Sequence, residues 1–169
     1  GPVVDNEFDD QIEYYFRQSK APIRTVEELI SLSLAPGIQN SENPVNPGRI
    51  DGYRAAAESL DLADQVYIEI VTIRMPKARQ MIVDLMKSKE LDALVFPTML
   101  CPASPLFNLE DKTYVCGAPD PYIPSYMASS TGFPEITVPM GYTKQGLPVG
   151  ISFFSTPYEE PELIGMVYA

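Results

Sequence analysis

The sequence predicts an α/β or α+β domain, with helices packed on a small mixed sheet, and three observations carry that prediction. Up to Lys89 the apolar residues recur at helical spacing. After Lys89 short β-prone runs bounded by proline and glycine take over. The third observation is bulk: 45% of the 169 residues are hydrophobic and the mean hydropathy is -0.07, enough apolar side chain for one core of ordinary size.

Phe8, Ile12, Tyr15 and Phe16 lie on one helical face between Glu7 and Arg17, with acidic residues in the first turn where the helix dipole favours them. Pro22 ends the link that follows. Thr25-Val26-Glu27-Glu28 has the capping-box form, Thr25 accepting from the Glu28 amide and Glu28 reaching back, so a short helix is expected to about Leu34. Between Ala35 and Pro47 the breakers Pro36, Gly37, Asn40, Asn43, Pro44, Asn46 and Pro47 predict an irregular loop. Helical pattern resumes at Asp51, and Asp61 is expected to cap a longer run through Val66, Ile70, Ile73, Ile82, Leu85 and Met86. Pro76, lacking an amide, is expected to kink or divide that run.

Leu91 to Phe96 reads as a short buried strand stopped by Pro97, and a proline-containing excursion runs from Thr98 to Pro124. Ile136-Thr137-Val138-Pro139 reads as a second strand, held short by the prolines at both ends. Lys144-Gln145-Gly146 is the expected turn into a third, Leu147 to Phe154, and an acidic helix starts at Glu159. The chain has no internal repeat, heptad or low-complexity tract.

A net charge of -11 with scattered basic residues argues against nucleic acid as a partner. Apolar runs such as Ala93 to Phe96 and Val149 to Phe154 fall far short of the roughly 20 residues of a membrane span, so a soluble chain is expected. The chain has no histidine, which excludes Cys/His zinc sites, Ser/His and Cys/His catalysis and haem ligation by histidine. No cofactor or metal is expected. Cys101 and Cys116 are expected as two free thiols in a cytoplasmic protein, the favoured setting, with a disulfide between them as the other reading. Gly1-Pro2 reads as the scar of a protease-cleaved tag, leaving residues 3–169 as one domain. The start at Val3 and the unfinished helical pattern through Ala169 are expected to be cuts in a longer protein.

Three pieces then stand out together. They are Leu91-Asp92-Ala93-Leu94-Val95-Phe96-Pro97-Thr98, Thr131-Gly132-Phe133-Pro134-Glu135-Ile136-Thr137-Val138-Pro139-Met140-Gly141, and Gly146-Leu147-Pro148-Val149-Gly150-Ile151-Ser152-Phe153-Phe154. In order and spacing, followed by the acidic helix from Glu159, they resemble the carboxyl-terminal portion of the amidase-signature family. Arg24 to Ile30 is similar to the segment that precedes the long helix in that family. Members with peptide amidase or broad amidase activity are the nearer likeness, and the subunit of tRNA-dependent amidotransferases the more distant.

The resemblance implies a partial amidase-signature fold and a parent enzyme that hydrolyses linear carboxamides. In the family a serine nucleophile, a second serine after a cis peptide and a lysine base come from the amino-terminal half, with backbone amides holding the oxyanion. No such Gly/Ser-rich stretch exists here, so no catalytic residue is expected in this chain. The expected partners are the missing amino-terminal catalytic portion, a small amide substrate and a second copy paired through an exposed sheet edge. Ser129-Ser130-Thr131-Gly132 is the decoy for a nucleophile loop and is expected to be the turn before the second strand. Asp120 and Glu135 are lone carboxylates expected to be solvated, and Lys144 a surface charge. By the same resemblance, Thr98, Tyr122 and Tyr126 are the candidates for lining the acyl or leaving-group pocket, in a neighbourhood that also holds Met99, Tyr114 and Met127. A noncatalytic binding or scaffolding module derived from the same fold is the alternative.

Overall fold

A computed structural model of the chain describes residues 2–59 and 62–168; Gly1, the expected cap Asp61 and the last residue Ala169 lie outside the described residues. The chain forms two compact units, Gly1–Arg74 and Met75–Ala169.

The first unit is helical. Helix α1 (Pro2–Gln18) extends the expected helix upstream, and α2 (Val26–Ser33) begins at the expected cap, where Thr25 Oγ1 accepts from the Glu28 amide at 3.2 Å. The reciprocal bond lands one residue early: the Glu28 carboxylate takes the Arg24 amide. The breaker-rich stretch is not all loop. Pro36 opens the short helix α3 (Pro36–Gln39) and Pro47 opens α4 (Pro47–Ala57). Both prolines occupy the first helical turn, where a missing amide costs nothing, and Asn46 caps α4 by accepting from Gly48 N at 2.9 Å.

The next start belongs to Asp64, whose carboxylate accepts from Tyr67 N at 2.9 Å and opens α5 (Gln65–Glu69). Residues Ile70–Arg74 follow as a π-helix just ahead of Pro76, which is where a ring without an amide would force the hydrogen-bond ladder to shift. Phe16, Val26, Ile50 and Ala56 are buried in this unit, and Phe8 stacks on Tyr53 with ring centroids 5.8 Å apart. Ser59 Oγ donates to Asp5 O at 2.8 Å and Tyr67 OH to Glu7 Oε1 at 2.8 Å, tying the end of α4 and α5 to α1.

The second unit sets helices beside a sheet of three strands in the order β1-β3-β2. Strand β1 is Leu94–Pro97, β2 is Glu135–Tyr142 and β3 is Pro148–Phe154. The pairing, expected as mixed, is antiparallel at both interfaces. Because β3 is central, β1 is an edge strand and not the buried strand expected: Leu94 and Phe96 face inward while Val95 is 50% exposed. Strand β2 also lies at an edge, which is why it runs past Pro139 instead of stopping there. An edge strand tolerates a missing amide, and the register shift between Pro139 and Gly141 absorbs the irregularity. The hairpin closes as expected, with Gly146 N on Thr143 O at 2.9 Å and Thr143 N on Leu147 O at 2.8 Å.

Helix α6 (Met75–Ser88) packs on α7 (Tyr126–Thr131), and α8 (Glu160–Tyr168) packs on β2. Met86, Phe133, Phe154 and Leu163 form the buried core, with Phe133 and Phe154 stacked at 6.0 Å. Among the described residues no helix is long and apolar enough to cross a membrane. The excursion after β1 is irregular to Pro121 and carries one correction to the expected free thiols: Cys101 and Cys116 form a disulfide, with Cα atoms 5.3 Å apart.

Candidate substrate cleft

A cleft of about 1000 Å³ opens where the excursion leaves the sheet. The end of β1 gives it Pro97 and Thr98; β2 gives Thr137 to Met140; β3 gives Pro148 to Gly150; the excursion closes the wall with Met99, Leu100, Cys101, Tyr114 and Tyr122. Most of that lining is apolar, as expected of a small-molecule site.

The floor is polar and tightly built. Ser152 is fully buried on the central strand, and its hydroxyl lies 2.9 Å from Thr98 Oγ1 and 3.0 Å from Thr137 Oγ1. The two threonines approach each other at 3.5 Å. Register explains the cluster: Thr137 is paired with Ser152, and Thr98 follows β1 with its amide donating to Gly150 O at 3.0 Å. Gly150 is needed there because a Cβ would sit 2.8 Å from Thr98 Oγ1 and 2.9 Å from Thr137 Cγ2. Ser152 is occupied by its neighbours, while Thr98 and Thr137 line the cleft and keep hydrogen-bonding capacity for a ligand.

At the rim, Asp120 is not the lone solvated carboxylate expected. Its Oδ1 accepts from Tyr122 N at 2.9 Å. Hydrogen bonding to the Asp120 carboxylate, then desolvation and the negative charge of Asp120, push the Tyr126 phenol above its ordinary pKa.

Of the three sequence candidates, Thr98 and Tyr122 line the cleft and Tyr126 does not; Tyr126 instead begins α7 and anchors Asp120. Met99 and Tyr114 also line it, whereas Met127 sits half-buried in α7. Ser129 and Ser130 are in the last turns of α7 and not in a turn before β2, and Ser129 Oγ donates to Ser125 O at 3.0 Å. Gly132 ends that helix in the left-handed conformation, at φ 70. Arg79 reaches from α6 to donate to Thr131 O at 2.6 Å. Glu135 is the first residue of β2, and Lys144 is exposed in the hairpin turn.

Gly150 is one of the glycines whose sequence setting points to a close backbone approach, and the threonine contacts bear that out, whereas Thr137 and Ser152 were not singled out from the sequence. Their one trace there is a hydroxyl between apolar neighbours, Thr137 between Ile136 and Val138 and Ser152 between Ile151 and Phe153.

Comparison with known proteins places this arrangement. The family model described as Amidase matches residues 32–164. The crystal structure of native peptide amidase from Stenotrophomonas maltophilia superposes with a TM-score of 0.71 at 31% identity, covering 99% of this chain and 31% of that one. A fatty acid amide hydrolase of Arabidopsis thaliana is 34% identical over 84 residues, 48% of this chain and 14% of that protein. Mandelamide hydrolase of Pseudomonas putida is 29% identical over 146 residues, 83% of this chain and 27% of that protein. The chain thus spans less than a third of the length of these relatives. With the three strands and the cleft inside the matched stretch, the chain belongs to the amidase-signature family.

Proposed function

We propose that this chain is the carboxyl-terminal portion of an amidase and supplies one wall and the floor of its substrate pocket. The observation that carries the reading is the cleft: an apolar trough with threonine hydroxyls at its base, set where the end of β1 and the start of β3 meet β2. It suits a linear carboxamide whose apolar body rests on Met99, Tyr122 and Val149 and whose polar group meets Thr98 or Thr137.

In this reading the nucleophile, base and oxyanion donors come from an amino-terminal portion, and the present residues hold and orient the substrate. Binding energy of that kind reaches the reaction only through correct placement at the reacting carbon. The chain alone is inactive, needs no cofactor, and has that catalytic portion and a small amide as its partners. The paired cysteines favour an oxidising compartment over the cytoplasm favoured by the sequence.

The test is a chimera in which this chain replaces the matching segment of the Stenotrophomonas maltophilia peptide amidase. Release of ammonia from a peptide amide is expected. A folded chimera that binds no amide and turns none over would count against the reading.

One observation favours a second reading, a noncatalytic binding module. Both outer strands of the sheet, β1 and β2, have an unpaired edge among the described residues, and Val95, Met140 and Tyr142 are exposed on them. Pairing through those edges predicts a concentration-dependent dimer on size-exclusion chromatography. A monomer at every concentration removes it.

A further inference from the structure

We propose that the Cys101–Cys116 disulfide is a positioning element of the cleft, holding the wall against which the apolar part of a ligand is recognised. The inference rests on the reading of the cleft as the substrate site. It starts from a contrast in how the walls are held. The sheet side of the cleft is fixed by strand pairing and by the Thr98, Thr137 and Ser152 hydroxyls. The opposite wall comes from residues 99–121, which form neither helix nor strand.

Few contacts cross that irregular segment. Leu100 N donates to Pro121 O at 3.1 Å, Tyr114 OH donates to Pro102 O at 3.4 Å, and the disulfide joins Cys101 to Cys116. The other hydrogen bonds within it are local turns, such as Leu109 N to Leu106 O and Thr113 N to Asp111 Oδ1. Burial does not restrain it either, because Leu106, Leu109 and Val115 are exposed. The three crossing ties lie side by side, and the covalent one is flanked by the other two.

Cys101, Pro102 and Tyr114 all line the cleft, so the bond sits in the wall itself. Closing this loop, between cysteines 15 positions apart, removes conformational freedom from the open chain. Reduction by a dithiol adds two electrons and two protons to the bond, giving two thiols here and the cyclic disulfide of the reagent. The two remaining hydrogen bonds, whose partners water can replace, do not match that covalent constraint. Tyr114 and Pro102 then lose their fixed spacing, and the wall is no longer formed before the ligand arrives.

The experiment uses the chain as it is, oxidised, reduced with dithiothreitol under native conditions, and as the Cys101→Ser/Cys116→Ser variant. Reduction of the unaltered chain keeps the test alive if the variant fails to fold. Alkylation with iodoacetamide followed by mass spectrometry is expected to label neither cysteine before reduction and both after. Amide hydrogen exchange is expected to rise about tenfold or more in residues 99–121 on reduction, with Ser152 to Phe154 unchanged, as local opening requires. NMR titration with 4-phenylbutyramide is expected to show affinity falling about tenfold on reduction and returning on reoxidation, because the ligand must then order the wall itself. Binding of acetamide, too small to reach that wall, is expected to stay as it was.

Free thiols in the untreated chain overturn the proposal. So does exchange that is unchanged, or that rises equally throughout the unit, since the latter is a purely structural role. Equal loss of both amides also overturns it. If neither form binds the phenyl amide while exchange behaves as expected, the bond orders the loop but the substrate reading of the cleft is what has failed.

Discussion

Replacing Gly150 with alanine probes the built floor of the cleft most sharply. The added methyl would lie 2.8 Å from Thr98 Oγ1, 2.9 Å from Thr137 Cγ2 and 3.3 Å from Thr98 Cβ. Ordinary contact begins near 3.4 Å, so each threonine must retreat by roughly half an ångström. The two threonines sit on opposite sides of the central strand and are both bound to Ser152, so a retreat toward the cleft stretches those hydrogen bonds. Overpacking of this kind costs about 2 kcal/mol, which lowers the unfolding midpoint of a chain of this size by roughly 4–8 °C. Thermal unfolding followed by circular dichroism measures it. The double variant Gly150→Ala/Thr98→Ala removes the closest obstacle, and its loss should fall short of the sum of the two singles by about 1 kcal/mol. A Gly150→Ala midpoint equal to that of the parent, or strict additivity in the double variant, would refute the packing argument.

Arg79→Met removes a charged donor from Thr131 O and should cost about 1.5–3 kcal/mol in urea unfolding; a change below about 0.5 kcal/mol would mean that α7 is held by other contacts. Thr25→Ala deletes the cap of α2 and should cost about 1 kcal/mol in the first unit, with Thr25→Ser recovering most of it. Asp120→Asn should bring the Tyr126 phenol back toward its ordinary range, read by tyrosine absorbance against a Tyr126→Phe control. Since the Tyr126 pKa is raised on folding, its contribution is complete below pH about 10 and is lost as the pH climbs through the folded value. An alkaline titration identical in the parent and Asp120→Asn would show that the carboxylate does not act on Tyr126.

Local grammar made much of the fold legible. The Thr25 cap, the hairpin turn at Lys144-Gln145-Gly146 and the acidic start of the last helix each depend on a few adjacent residues, and each forms near its expected place. Proline was misread where its meaning depends on position. Pro36 and Pro47 look like breakers in a count of residues, yet each stands in a first helical turn; Pro139 looks like a stop, yet it lies on an edge strand. Strand order was hidden for the same reason, because β1 is an edge only by virtue of β3 inserting between it and β2.

The site was legible in part. Thr98 and Tyr122 were reached through the family resemblance together with the rule that loops after strands line a crevice, and both line the cleft. Tyr126 failed that reasoning because one helical turn carries it off the wall and onto Asp120. The Thr98, Thr137 and Ser152 cluster joins residues up to 54 positions apart, and nothing local forecasts that register. The pairing of Cys101 with Cys116 likewise depends on the path of the excursion between them and not on their spacing.

In the proposed function this chain shapes a cleft while the bond-breaking groups reside in other polypeptide. Its most direct measurement is ammonia released from a primary amide such as 4-phenylbutyramide by the purified chain, run to long times at high protein concentration. Release indistinguishable from the protein-free blank is expected. Turnover that rises with protein concentration and disappears in Ser129→Ala or Ser130→Ala would contradict it.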